Sequence, residues 1–232
     1  MPPLNPINAW DDRGIEATRQ VARRFFFLCE GRNTERWYFT ELFAILSKMD
    51  LPGRAELVYV DRTDEDENIS APKRLAEYAD KVRNNDGRDY GYDESSDKTV
   101  IVFDAERFRS KEQELERIIC DIEQNNIIGV TQPSFELYLL LHMDEAYEQY
   151  ILPHSAEILE DRKRGKRRYI DRLFSEECGI NPKTNETGVR ALAHKHDIAI
   201  AQERNINHDV HKVHDRLTSN IGEIIDNIKQ GE

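Results

Sequence analysis

Two apolar runs in this chain each end in carboxylates: Phe25-Phe26-Phe27-Leu28-Cys29 leads into Glu30-Gly31, and Val100-Ile101-Val102-Phe103 leads into Asp104-Ala105-Glu106. Acids brought to one place repel one another unless a cation lies between them. An all-oxygen donor set without His or Cys suits Mg²⁺ or Mn²⁺ better than Zn²⁺. Glu30, Asp104 and Glu106 are therefore the candidate metal ligands. The same residues at strand ends could instead serve as helix caps or solvated turn residues.

Both runs are too short for ordinary helices and rich in β-branched or aromatic residues, so they are expected to be buried strands of a parallel sheet. Ligands of open α/β sheets bind in the crevice beyond the carboxyl ends of the strands. Asp104 and Glu106, two apart, are expected to point the same way from one strand, with Glu30 ending another. Between the runs, Asn33 or Thr34 can cap a helix carrying Trp37, Phe39, Leu42, Phe43 and Leu46 at helical spacing. Glu35 falls in its first turn, where the helix dipole favours an acid, and it is read as a surface residue rather than a further ligand. Leu57 to Val60 reads as a second strand, Asp61 to Asn68 as an acidic exposed loop, and Ser70 as the cap of a helix holding Leu75, Tyr78, Ala79 and Val82. After a polar loop over Asn84 to Lys98 and the Val100 strand come a helix over roughly Lys111 to Gln124 and a fourth strand, Ile127 to Val130. The stretch from Thr131 to Glu136 starts another helix, with Pro133 near its first turn.

Alternating strands and helices predict an α/β fold with a mostly parallel sheet flanked by helices and a helical C-terminal extension. The chain divides into a polar segment over 1–23, with a short helix expected from Asp11 to Arg24, a main domain over 24–153, and a basic segment with helices over 154–232.

Glu136 opens a helix, Leu137-Tyr138-Leu139-Leu140-Leu141-His142, that is apolar nearly all round, as core helices are. An ionised carboxylate there needs a metal, a basic side chain, backbone donors or a proton, because burying it alone costs several kcal/mol. Glu136 is thus a fourth candidate catalytic acid, with a structural salt bridge or cap as the equal alternative. His142 reads as a satisfied core histidine rather than a general base.

The 232 residues are 38% hydrophobic, enough for a real core, and carry a formal net charge of −12. That balance argues against nonspecific attraction of nucleic acid to the whole surface. Asp161 to Arg172, DRKRGKRRYIDR, concentrates seven basic residues against two acids. Arg162, Lys163, Arg164, Lys166, Arg167 and Arg168 could follow a phosphate backbone and Tyr169 could stack on a base, or the run could be a solvated loop. Three cysteines, Cys29, Cys120 and Cys178, are odd in number and far apart, which fits reduced thiols, with Cys29 packed in its strand. With no run of about 18 apolar residues and no leader pattern, a cytoplasmic protein without membrane association is expected. His208, His211 and His214, spaced by three, could bind zinc or nickel on one helix face, although an exposed polar face is the preferred reading. A P-loop, a dinucleotide fingerprint and the local signatures of nucleophilic hydrolases are not found.

In the order CEGRNTERWYF (Cys29 to Phe39), VFDAE (Val102 to Glu106) and PSFELYLLLH (Pro133 to His142), the chain resembles RloB-like proteins over roughly Arg24 to Pro153. Val210-His211-Lys212-Val213 looks like that family's closing helix. The resemblance implies a Toprim-like, Rossmann-like fold in a bacterial protein often encoded beside an AAA or ABC-type ATPase and linked to restriction and phage defence. The wider Toprim group holds Mg²⁺ for phosphodiester chemistry with a glutamate after the first strand and an Asp-x-Asp after a later one. Glu30 and Asp104 match that pattern, and Glu106 departs from it by one methylene. A second acid near the first motif, here Glu35, serves in some Toprim nucleases.

Two functions follow as expectations. One is a Mg²⁺- or Mn²⁺-dependent nuclease acting on DNA or RNA. In it Glu30, Asp104 and Glu106 hold one or two ions, Glu136 binds metal or positions water, the basic stretch neutralises phosphate, and a partner ATPase gates activity. The identity of the general base is open, as is assembly into a homo-oligomer. The other is a noncatalytic scaffold that binds the ATPase and uses its acids structurally.

Overall fold

The computed structural model describes residues 23–49, 51–52, 55–61, 71–87, 89–165 and 167–231. The expected helix over Asp11 to Arg24, the cap at Ser70, most of the acidic loop and Lys166 lie outside the described residues, save that Arg24 opens the first strand.

Five strands form one sheet. β1 (Arg24–Cys29), the run of three phenylalanines, is followed by α1 (Thr34–Leu46), β2 (Glu56–Tyr59), α2 (Pro72–Arg83), β3 (Lys98–Asp104), α3 (Glu112–Glu123) and β4 (Ile127–Gln132). The chain then turns helical through α4 (Phe135–Leu140), α5 (Ser155–Glu160), α6 (Tyr169–Cys178), α7 (Glu186–Ala193) and α8 (His196–Glu203). It returns as β5 (Thr218–Ser219) and closes with α9 (Ile221–Gln230). The order is β2-β1-β3-β4-β5, with the first four strands parallel and β5 antiparallel to β4.

Helices cover both faces, as parallel strands require. Phe25, Phe27, Cys29, Val100 and Val102 face a core shared with α1, α4 and the helices from α6 to α9. Their sequence neighbours Phe26, Leu28, Ile101 and Phe103 face α2 and α3. This alternation along each strand is the reason an unbroken apolar run is needed. The C-terminal helices belong to the first of these cores, and no helix among the described residues is long and apolar enough to cross a membrane. Gly129 in β4 lets α9 lie close, since a Cβ there would meet Ile221 Cδ1 at 2.8 Å. The two-residue edge strand β5 is continued by Asn220, whose carboxamide accepts from Val130 N–H and donates to the Ile128 carbonyl, both at 2.8 Å.

Three local expectations change. β4 runs on to Gln132, so Thr131 and Gln132 are strand rather than helix, and Pro133 precedes the α4 cap Ser134. Val210 to Lys212 is a single 3₁₀ turn, and the closing helix is α9 instead. His208, His211 and His214 accordingly share no helix face.

Candidate functional site

Chain direction in the sheet reverses between β1 and β3: β1 passes outward through α1 to β2, whereas β3 passes the other way through α3 to β4. Connections diverging from adjacent parallel strands leave a crevice at their carboxyl ends. Glu30 and Asp104 stand there, one at the end of each strand. Glu30 N–H still bonds the Val102 carbonyl at 2.8 Å, which keeps the residue in register after β1 ends. Its carboxylate accepts from Asp104 N–H at 3.2 Å and pairs with Arg107.

Asp104 Oδ1 accepts from Thr131 Oγ1 at 2.6 Å and from Phe135 N–H, the first amide of α4, at 2.9 Å. Despite these donors its carboxyl is pushed well above the ordinary range, by burial first and then by Glu35, Glu136 and Glu30. A group held this way accepts a proton readily or demands a cation.

Glu35 is the main correction to the surface reading. It is 8% exposed, and its carboxylate lies over Gly31, where any Cβ would collide with it. Burial, with Glu136 and Glu30 adding to it against the pull of Lys183, raises its pKa to about 7. The sequence did carry the signal: Glu35, Tyr38, Phe39, Leu42 and Leu46 recur at the spacing of one buried helix face.

Glu136, 2% exposed, accepts from Ser134 Oγ at 2.6 Å and pairs with Lys183. Burial works to raise its pKa, yet the Lys183 ammonium and the hydrogen bonds prevail and hold it below the usual value. Burial likewise opposes the charge on Lys183, and Glu136, Glu35 and Asp171 outweigh it to raise that pKa. Lys183 lies in the turn between α6 and α7, which Thr34 anchors to the start of α1 by donating to the Pro182 carbonyl at 2.8 Å. No local pattern marks this lysine, because 47 residues separate it from its partner.

Glu106 stands apart. β3 ends at Asp104, and Glu106 starts a 3₁₀ turn to Phe108, so the two acids do not extend side by side from a strand. Its carboxylate pairs with Arg168, whose Nε also approaches Asp161 Oδ2 at 3.9 Å. Burial is the main reason that Asp161 titrates near 6. Arg164 and Arg167 form an antiparallel bridge about Gly165, whose φ of +66° suits glycine, so the basic stretch is a tight turn that Arg168 ties to Glu106. Arg162 remains 80% exposed and pairs with Glu160 at 2.7 Å, while Arg167 donates to the Asp171 carbonyl at 2.8 Å. The Tyr169 ring is covered by Arg172, and its hydroxyl meets His154 Nδ1 at 2.9 Å. His142 is a core residue: its Nε2 meets Tyr38 Oη at 2.9 Å, and burial drives its pKa down to about 3.

The crevice thus joins Glu30, Glu35, Asp104 and Glu136, with Lys183 and Arg107 as neighbouring cations, and it leaves Glu106 holding the basic turn at its edge. Fold and site together define an α/β protein with a carboxylate cluster at the switch point of its sheet. The chain belongs to the RloB-like proteins, whose family model matches residues 25–228 and so extends well past the motifs at Cys29, Val102 and Pro133. Neither the curated proteins nor the solved structures give a match.

Proposed function

We propose that this protein is a divalent-metal-dependent nuclease whose site is the switch-point crevice. The observation that carries the reading is the set of acids at the switch point, where burial and then Glu35, Glu136 and Glu30 act together on Asp104. The companion feature is the basic stretch, whose Arg168 pairs with the carboxylate of Glu106, two residues past Asp104. The donor set fits Mg²⁺ or Mn²⁺, since every candidate ligand is a carboxylate and Asp104 is destabilised as an anion by its acidic neighbours. Glu30, Asp104 and Glu35 would hold the ion, while Glu106 acts one step away by positioning Arg168. Such an ion, when bound, supplies charge stabilisation at a phosphate and lowers the pKa of water.

The chain's own groups have separable tasks. Thr131 and the Phe135 amide orient Asp104. Glu35, raised to about 7 chiefly by burial, would gain its charge when an ion is bound. Lys183 neutralises Glu136 and can turn toward a phosphate, its side chain being 60% exposed. Arg162, Lys163, Arg164 and Arg167 would extend the cationic track for DNA or RNA. The resemblance to the Toprim group and to defence-linked proteins supports this reading and adds a gating AAA or ABC-type ATPase.

A scaffold for such an ATPase is the second reading. It is favoured by the pairing of Glu30 with Arg107 and of Glu136 with Lys183, which neutralises acids without a metal. The deciding experiment assays cleavage of DNA and RNA with Mg²⁺ and with Mn²⁺, with and without the protein encoded next door, using Asp104→Asn as control. Metal-dependent cleavage lost in Asp104→Asn is the expected result. Absence of cleavage in every combination, with no rise in melting temperature on adding either ion, would leave the scaffold.

A further inference from the structure

A second cluster lies on the outer side of α3, away from the switch-point acids. Glu116 and Cys120, four apart, share one helix face, and Glu123 follows one turn later. His211 reaches them from the 3₁₀ turn before β5, placing Nδ1 3.0 Å from Glu116 Oε1 and Nε2 3.1 Å from Glu123 Oε2. Cys120 Sγ is 3.6 Å from Glu116 Oε1. One ligand atom each from Glu116, Cys120 and His211 fits within a mutual spacing of 4.8 Å.

We propose that Glu116, Cys120 and His211 form a binding site for Zn²⁺ or a similar borderline transition-metal ion, with Glu123 orienting the imidazole. Zinc bonds of about 2.0–2.3 Å put the ligands of a tetrahedral ion roughly 3.3–3.7 Å apart, so side-chain rotations alone close the site. A thiolate and an imidazole select against Mg²⁺, whose preference is for oxygen. Glu123 accepting from Nε2–H leaves Nδ1 free to bind the ion, the carboxylate-histidine-metal arrangement that fixes ring and tautomer. Three protein ligands leave the fourth position to water. Binding releases the Cys120 thiol proton and, from a protonated ring, the Nδ1 proton. The acids crowding Cys120 oppose a bare thiolate, and a dication at the centre reverses that field. The ion would tie α3 to a segment 95 residues further along the chain.

Titration of the full chain with Zn²⁺ in excess Mg²⁺, followed by calorimetry and by the visible bands of Co²⁺, tests this site separately from the switch-point acids. One equivalent with a thiolate-to-Co²⁺ charge-transfer band is expected. Cys120→Ser should abolish the band, His211→Ala should weaken binding at least tenfold, and Glu123→Gln should weaken it by about 10–100-fold. The Cys178→Ser and Glu30→Gln/Asp104→Asn variants should bind as the parent does. Absence of the band, or unchanged zinc affinity in both Cys120→Ser and His211→Ala, would overturn the proposal. All the altered α3 and 3₁₀-turn side chains are partly or fully exposed, so circular dichroism is expected to report an intact fold throughout.

Discussion

The switch-point crevice and the outer cluster on α3 both gather carboxylates around a cationic side chain, and they differ in burial and in donor chemistry. In the crevice, Glu35 and Glu136 are buried and every donor is an oxygen. Charges there act through a poorly screened interior, so Asp104 is pushed up and Lys183 is held firmly protonated. On α3, His211, Glu116 and Glu123 are each about two-fifths exposed or more, and water and salt screen their attraction. The lesson is that four acids gathered with burial make a strained, proton-hungry site, while two exposed acids beside a thiol and an imidazole make a loose but chemically softer ligand set.

The largest effect should come from breaking the pair between buried Glu136 and the more open Lys183. Lys183→Met leaves the Glu136 carboxylate without its cation and should cost about 3 kcal/mol, the lower end for a broken buried pair because Lys183 is partly open to solvent. The urea midpoint measures it. Adding Glu136→Gln should recover most of the loss, and failure to recover it would show that Lys183 acts through contacts other than Glu136.

Glu35→Gln should stabilise the protein, and only toward high pH. The folded pKa of about 7 lies above the ordinary 4.5, so the folded state binds the extra proton between those values. Stability therefore falls as pH rises from about 4.5 to 7 and is flat for this group above that. At 1.36 kcal/mol per pH unit the full span is worth at most roughly 3 kcal/mol. Melting curves of parent and variant should converge near pH 4 and separate by pH 8. Parallel curves would show that Glu35 does not carry the raised pKa.

His211→Ala, without metal, should matter least, costing under about 1 kcal/mol since the pairs are exposed. The sign with pH is opposite to that of Glu35. Burial lowers the His211 pKa, but Glu116 and Glu123 outweigh it and raise it above 6.5, so the stabilisation is present below 6.5 and vanishes as pH rises through the folded value. Equal stability losses at pH 5.5 and pH 8.5 would contradict this assignment. In the basic turn, Arg162, Lys163 and Arg164 changed together to Ser should lower the slope of log affinity against log salt by up to about 3 on duplex DNA, while leaving Arg168 on Glu106.

Much of the frame was legible along the chain because it depends on local pattern. The apolar runs at Phe25 and Val100 had to be buried strands, and an acid after each had to lie at the carboxyl end of a parallel sheet. The Glu136 helix, apolar on every side, had to supply its acid with a partner, and His142 just beyond its end had to be a satisfied core residue. Glu35 was also legible in principle, through its place on the apolar face of α1, although the helix-dipole argument pointed it outward. Tertiary structure decided the rest, because it turns on which distant segments meet. Lys183 reaches Glu136 only because the turn between α6 and α7 seats on Thr34. Glu106 turns away from Asp104 only because β3 stops there and Arg168 draws it to the basic turn. His211 meets Cys120 not through the spacing of the histidines but because the chain before β5 runs over α3. Local sequence governs helix, strand and burial through periodicity, whereas the pairing of charges depends on three-dimensional proximity that no spacing along the chain encodes.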